Sequence, residues 1–222
     1  MPSTGNASKT LTRARPSGFA AIRSAVGACL NLPNQITFAR LVLTGIFVAV
    51  VATGVPWVWS WAAILFIVGS VTDFVDGWLA RKYGLVTNFG ALMDPLVDKV
   101  LTCSAFVLLS VAGVIPSWVA CTVLAREFLI TGLRTLAATH GAVLSADGWG
   151  KWKTGAQIAV LIYGLLQLAA LEPPFQWVAP WLQIPLLAPG VLGQILLGLA
   201  VFTTVWSGLR YLWNNRHVLT DV

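Results

Sequence analysis

Six long apolar runs, separated by short polar or Gly/Pro-bearing segments, dominate the chain. They extend over Ile36–Val55, Trp57–Arg81, Leu92–Val114, Pro116–Ala138, Lys153–Leu171 and Leu186–Leu212. Each suits a helix of about 20 residues, the length that crosses the hydrocarbon of a bilayer. The predicted fold class is therefore an all-α integral membrane protein with six transmembrane helices. They form one domain over residues 17–222, preceded by a tail, residues 1–16, whose Ser, Thr, Gly and Pro content predicts disorder. In the stretch "SGFAAIRSAVGACLNL", Phe19, Ile22, Val26 and Leu30 recur at helical spacing. This pattern predicts a short amphipathic helix lying in the membrane interface, with a solvated linker as the alternative.

Composition agrees with the pattern. The chain is 57% hydrophobic and 10% charged, with a mean hydropathy of +0.80, whereas charged residues make up about a quarter of an ordinary soluble domain. Lys and Arg fix the orientation. They lie before or just inside the first run (Lys9, Arg13, Arg15, Arg23, Arg40), at the junction of the second and third (Arg81, Lys82, Lys99), at the junction of the fourth and fifth (Arg134, Lys151, Lys153) and at or after the end of the sixth (Arg210, Arg216). The alternate loops, near Gly54–Pro56, Gly113–Ser117 and Glu172–Pro185, carry none. Positive residues stay in the cytoplasm, so both termini are expected inside a bacterial-type inner membrane. The basic residues extend too far ahead of the first run for a cleavable signal peptide. A net charge of +6 in such a chain points to anionic headgroups or anionic substrates. No basic segment with interleaved aromatics suggests nucleic acid. Cys29, Cys103 and Cys121 have no metal-binding spacing and read as small apolar packing residues. His140 and His217 read as interfacial polar residues, and the Pro/Trp-rich loop around Glu172 as a connector.

Against that apolar background, half of the eight acidic residues fall in "VTDFVDGWLARKYGLVTNFGALMDPLVDKV": Asp73, Asp76, Asp94 and Asp98. A carboxylate at mid-bilayer costs about 2.5–3.5 kcal/mol on insertion scales, so these four need an interface or cavity, and cations. Asp73 and Asp76 are i,i+3 and Asp94 and Asp98 are i,i+4, so each pair shares a helix face. Both pairs sit near the cytoplasmic ends of neighbouring antiparallel helices. Four oxygen donors without Cys or His suit Mg²⁺ or Mn²⁺, ions that share their shell with substrate phosphates. Two such ions can clamp a phosphate between attacking and leaving oxygens. Gly77 lets a ligand approach the backbone, Arg81 offers a planar fork for phosphate, and Gly90 leaves space one turn before Asp94. Two alternatives stay open on spacing alone: a structural network of Asp–Arg and Asp–Lys pairs, and a cation pathway in a transporter.

The pattern Asp73-x2-Asp76-Gly77-x2-Ala80-Arg81-x8-Gly90-x3-Asp94-x3-Asp98 resembles, at every fixed position, the signature of the CDP-alcohol phosphotransferase family. "NLPNQITFAR", "REFLITGLR" and "GKWKT" extend the resemblance, towards members that act on glycerol 3-phosphate, over roughly residues 30–215. The resemblance implies six transmembrane helices, a homodimer, and transfer of a phosphatidyl group from CDP-diacylglycerol to an alcohol with release of CMP. It implies Asp73, Asp76 and Asp94 as metal ligands. Asp98 would be the catalytic base and would also touch the second metal. Pro33, Asn34, Gly77, Arg81 and Thr87 would hold the CDP portion.

The signature leaves the acceptor open. Arg126, Arg134, Lys151 and Lys153 supply four cations near the cytoplasmic side of the fourth and fifth runs. Glycerol 3-phosphate as acceptor needs such a pocket for its phosphate. Inositol phosphate, serine and phosphatidylglycerol are the alternatives. The plainer reading of the lysines is topogenic charge and headgroup contact, and that of Arg126 is a pair with Glu127.

Overall fold

A computed structural model describes residues 32–83, 88–139, 149–182 and 190–216, with side chains throughout except at 32–37, 74–83, 88–95, 98, 138–139 and 149. The N-terminal tail, the expected amphipathic helix, Thr87, His140 and His217 lie outside the described residues. The described residues are helical and contain no strand. Five long helices come first: α1 (Leu32–Thr53), α2 (Val58–Tyr83), α3 (Asn88–Val111), α4 (Ser117–Thr139) and α5 (Trp149–Ala169). A 3₁₀ segment (Pro173–Val178) and a single turn, α6 (Ala179–Leu182), follow, and α7 (Val191–Asn214) closes the bundle. The six long helices coincide with the six apolar runs.

The turns away from the site are tight. Gly54 (φ 61°) and Gly113 (φ 76°) adopt left-handed backbone just past the ends of α1 and α3, where absence of a Cβ makes that conformation inexpensive. After α3, the amides of Val114 and Ile115 both return to the Leu109 carbonyl, at 3.0 and 3.2 Å, which satisfies the end of the helix.

α1 packs along α2 and α3, α5 along α2 and α7, and α4 along α3 and α7. Phe47 of α1, Phe66 of α2, Phe106 and Leu109 of α3, Val119 and Val123 of α4 and Leu161 and Leu165 of α5 form one continuous core. Small residues set the close approaches. A Cβ on Gly69 would stand 2.8 Å from Leu101 Cδ2 and 2.9 Å from Leu43 Cδ2, so this glycine brings α2 against α3 and α1 together.

Glu172 corrects the view of its loop as a plain connector. Its carboxylate accepts hydrogen bonds from the Trp59 amide (2.9 Å), the Ser60 amide (2.7 Å) and the Ser60 hydroxyl (2.6 Å). These amides belong to the first turn of α2, which has no intrahelical acceptors for them. The carboxylate thus caps α2 from more than a hundred residues away, at the positive end of the helix dipole.

The outside of the bundle is apolar. Phe38, Val111, Trp118, Phe202, Leu209 and Trp213 are all more than half exposed, a surface that calls for a lipid or protein neighbour. By length and composition, α7 alone among the described helices is long and apolar enough to cross a membrane. Phe38–Thr53, Val58–Asp73 and Lys99–Val111 are shorter apolar helical stretches, and Gly150–Ala169 with Pro173–Leu182 is a pair bent by 116°. α4 falls short because Arg126, Glu127 and Arg134 lie within it. Cys103 is buried as expected, whereas Cys121 is exposed on α4 and does not pack inside.

Candidate active site

The two acidic pairs fall on α2 and α3. Asp73 and Asp76 are one turn apart near the end of α2, followed on the same helix by Gly77 and Arg81. Asp94 and Asp98 are one turn apart in the first half of α3. Pro33 and Asn34 lie in the first turn of α1, where proline is well placed because the amide it lacks has no helical acceptor. Among these residues the side chain of Asp73 is the one described. Its carboxylate forms an ion pair with the Arg40 guanidinium of α1, so a residue read as topogenic charge pairs with one of the four acidic residues singled out in the sequence. Among the described residues no three His, Cys, Asp or Glu side chains converge. The donor set offered by these helices is all oxygen, which fits a hard divalent cation.

The basic residues do converge. A cavity of about 350 Å³ is lined by Arg126 and Arg134 of α4, Lys151 and Lys153 of α5, Lys99 of α3, and Ser207 and Tyr211 of α7. All four cations singled out in the sequence stand on its wall. Five cations face one carboxylate, Glu127, which leaves a net charge of +4. Lys99 directly follows Asp98 in α3, so this helix carries both the second acidic pair and a residue of the basic cavity.

Glu127 is the hub of the cavity floor. It is 3% exposed, a position that a carboxylate tolerates only when it is paired and hydrogen-bonded. Lys153 Nζ donates to Oε1 at 2.5 Å and Arg126 Nη1 donates to the same oxygen at 3.3 Å. Lys99 Nζ stands 3.9 Å from Oε2, and its ammonium also donates to the Thr131 hydroxyl. Thr131 in turn donates to the Glu127 carbonyl at 2.7 Å. Gln157 bridges Glu127 (3.5 Å) and Thr204 of α7 (2.9 Å). One carboxylate thereby ties α3, α4, α5 and α7 together. Arg126 pairs with Glu127, the plainer of the two readings made of it, and also lines the cavity.

α7 adds a polar stripe that the apolar pattern conceals. Thr204, Ser207, Gly208 and Tyr211 are buried on one face. Ser207 Oγ accepts a hydrogen bond from Arg126 Nη2 at 3.1 Å. Gly208 leaves room for Arg126 to lie against the helix, since a Cβ there would stand 3.2 Å from Arg126 Cγ. The Arg134 guanidinium lies 5.7 Å from the centroid of the Tyr211 ring, within cation–π range. Spacing in the sequence carried a signal for this face: i, i+3, i+4, i+7 polar or small residues in an otherwise apolar helix. Lys99, Glu127, Ser207 and Tyr211 were not among the residues expected to form the acceptor site.

The described residues thus form a helical bundle with an apolar exterior, acidic positions on α2 and α3, and a strongly basic cavity lined by α3, α4, α5 and α7. The chain belongs to the CDP-alcohol phosphatidyltransferase family, whose model matches residues 30–206, and is thus a transferase. A Bacillus subtilis (strain 168) protein named CDP-diacylglycerol–glycerol-3-phosphate 3-phosphatidyltransferase is 38% identical over 204 residues, covering 85% of this chain and 97% of the relative. Proteins of the same name from Rickettsia bellii (strain RML369-C) and Shigella flexneri serotype 5b (strain 8401) are 32% identical over 181 residues and 38% identical over 197 residues. They cover 82% and 86% of this chain, and 93% and 98% of their own lengths.

Proposed function

We propose that this protein transfers the phosphatidyl group of CDP-diacylglycerol to glycerol 3-phosphate, giving phosphatidylglycerol phosphate and CMP. The observation that carries the reading is the convergence of Arg126, Arg134, Lys151, Lys153 and Lys99 on one cavity. A dianionic phosphate is suited to a wall of +4 net charge, and arginine forks and lysine ammoniums supply charge-assisted hydrogen bonds to it. A neutral acceptor such as serine leaves those charges uncompensated. The names of the relatives agree with this choice.

In this scheme Asp73, Asp76, Asp94 and Asp98 hold one or two Mg²⁺ or Mn²⁺ ions, which when bound offset charge on the diphosphate and on departing CMP. Pro33, Asn34, Gly77, Arg81 and Thr87 bind the CDP portion of the donor. The cavity fixes the acceptor by its phosphate. Its hydroxyl is then directed towards Asp98, next to Lys99 on α3. Asp98 takes the hydroxyl proton and the acceptor oxygen attacks the β-phosphorus of the donor. The bond from that phosphorus to the CMP oxygen breaks, and CMP leaves with the electron pair. No covalent enzyme intermediate is required. The site works at the cytoplasmic face of the inner membrane, within six transmembrane helices, an interfacial helix ahead of α1, and a homodimer. The distribution of positive residues and the apolar exterior of the bundle support that placement.

The test is release of CMP by purified protein given CDP-diacylglycerol, Mg²⁺ or Mn²⁺, and one alcohol at a time. Release with glycerol 3-phosphate, and not with serine, inositol phosphate or phosphatidylglycerol, is expected. Release with a different alcohol overturns the acceptor. No release with any alcohol, together with cation flux in liposomes, overturns the enzyme and favours a transporter.

A further inference from the structure

Arg40 stands in the third turn of α1, inside the apolar run. Its side chain is 10% exposed, whereas charges that set topology act from the loops flanking a span. An arginine placed among apolar helices is costly unless it is paired, and Asp73 of α2 is its partner. Packing sets the pair. Gly69 lets α1 and α3 close on α2, since a Cβ there would stand 2.9 Å from Leu43 Cδ2 and 2.8 Å from Leu101 Cδ2. Asp73 lies one turn beyond Gly69 on α2, and Arg40 lies one turn before Leu43 on α1. The close approach of the two helices therefore brings the two charged groups face to face. The Asp73 side chain is still 42% exposed. An ionised carboxylate offers about four lone-pair sites, so a guanidinium does not exhaust it.

We infer that Arg40 is a positioning residue for the divalent-cation site: its guanidinium holds the Asp73 carboxylate in the orientation in which that carboxylate takes the cation. The inference rests on the reading of Asp73, Asp76, Asp94 and Asp98 as the ligands of that cation. An arginine beside a metal ligand acts in two opposing ways. Its charge repels the cation, which weakens binding. Its planar fork fixes the carboxylate before the cation arrives, which strengthens binding. Partners that orient a ligand in this way typically contribute about 10–100-fold in metal affinity. Repulsion is screened at a half-exposed carboxylate, and orientation is not, so orientation prevails. α1 thus serves the metal site without supplying a ligand to it.

Binding of Mn²⁺ to the purified full-length protein in detergent, followed by electron paramagnetic resonance of the free ion with neither substrate present, separates this role from a structural one. Arg40→Met is expected to raise the dissociation constant for Mn²⁺ by about tenfold or more. Arg40→Lys keeps the charge and loses the fork. It is expected to raise the dissociation constant by a smaller factor while melting, in the presence of EDTA, as the wild type does, and it carries the test if Arg40→Met does not fold. At saturating Mn²⁺ the KM for glycerol 3-phosphate is expected to be the same in Arg40→Lys as in the wild type. Arg40→Lys that binds Mn²⁺ as tightly as the wild type, or Arg40→Met that binds it more tightly, overturns the inference and leaves the metal site standing. Wild-type protein that binds no Mn²⁺ overturns the metal reading and the inference together.

Discussion

Replacing Glu127 by Gln keeps the shape of the cavity floor and removes its one negative charge. Lys153 Nζ, Arg126 Nη1 and Lys99 Nζ then stand where three cations shared a carboxylate, at 2.5, 3.3 and 3.9 Å from its oxygens. At an effective dielectric of about 20, a single pair at about 4 Å contributes about 4 kcal/mol of attraction. Desolvation of the buried ions offsets much of this, and breaking one buried pair typically costs about 3–5 kcal/mol. For a chain of this size each kcal/mol moves the melting temperature by about 2–4 °C. Glu127→Gln is therefore expected to lower it by on the order of 10 °C, measured by tryptophan fluorescence in detergent micelles. Glu127→Gln combined with Lys153→Met removes both ends of the shortest contact, and is expected to recover part of the loss because a buried pair can often be exchanged for apolar groups at little net cost. Arg126 and Lys99 remain, so recovery stays incomplete. A Glu127→Gln protein that melts within about 2 °C of the wild type, or a double variant whose losses simply add, would refute the reasoning.

Glu172→Ala removes three hydrogen bonds to the start of α2 and is expected to cost about 1–3 kcal/mol of stability. Both KM values should stay unchanged in steady-state kinetics, because the cap lies at the end of α2 away from the site. Asp98→Asn is expected to lower kcat by at least about a hundredfold, the range of general-base catalysis, while CDP binding measured by calorimetry is largely kept. Removal of divalent ions by a chelator should stop CMP release, with Mg²⁺ or Mn²⁺ restoring it. Turnover that survives thorough chelation would exclude the metal-assisted scheme.

The helices were legible because each apolar run is long, and the limits of the runs and the helices agree within about five residues. The fourth run, Pro116–Ala138, and α4, Ser117–Thr139, differ by one residue at each end. The sixth run differs most at its start, Leu186 against Val191 for α7, and the fifth run starts at Lys153 whereas α5 begins at Trp149, which places Lys151 and Lys153 in its first turns. Arg126, Arg134, Lys151 and Lys153 were visible as a set because charge is scarce in this chain. Lys99 was counted as a topogenic charge, and its place on the cavity wall depends on how α3 crosses α4. Tyr211 and Ser207 come from the other end of the chain and join the cavity only through packing of α7. Glu172 caps α2 across 112 residues of sequence in its bond to Ser60, a contact with no local signature. Short-range spacing reports which residues share a face, and which faces meet is decided by small residues such as Gly69 and Gly208.

The central claim is that the cavity between α4, α5 and α7 receives the phosphate of the acceptor, while α2 and α3 serve the nucleotide. Arg134→Ala tests it most directly, because Arg134 lines the cavity, is exposed, and forms none of the bonds that hold Glu127. Loss of one charge-assisted contact, about 1.5–3 kcal/mol, corresponds to a rise of about 10–150-fold in the KM for glycerol 3-phosphate. The KM for CDP-diacylglycerol should stay within about twofold of the wild type. A rise confined to CDP-diacylglycerol, with the acceptor KM unchanged, would contradict the account.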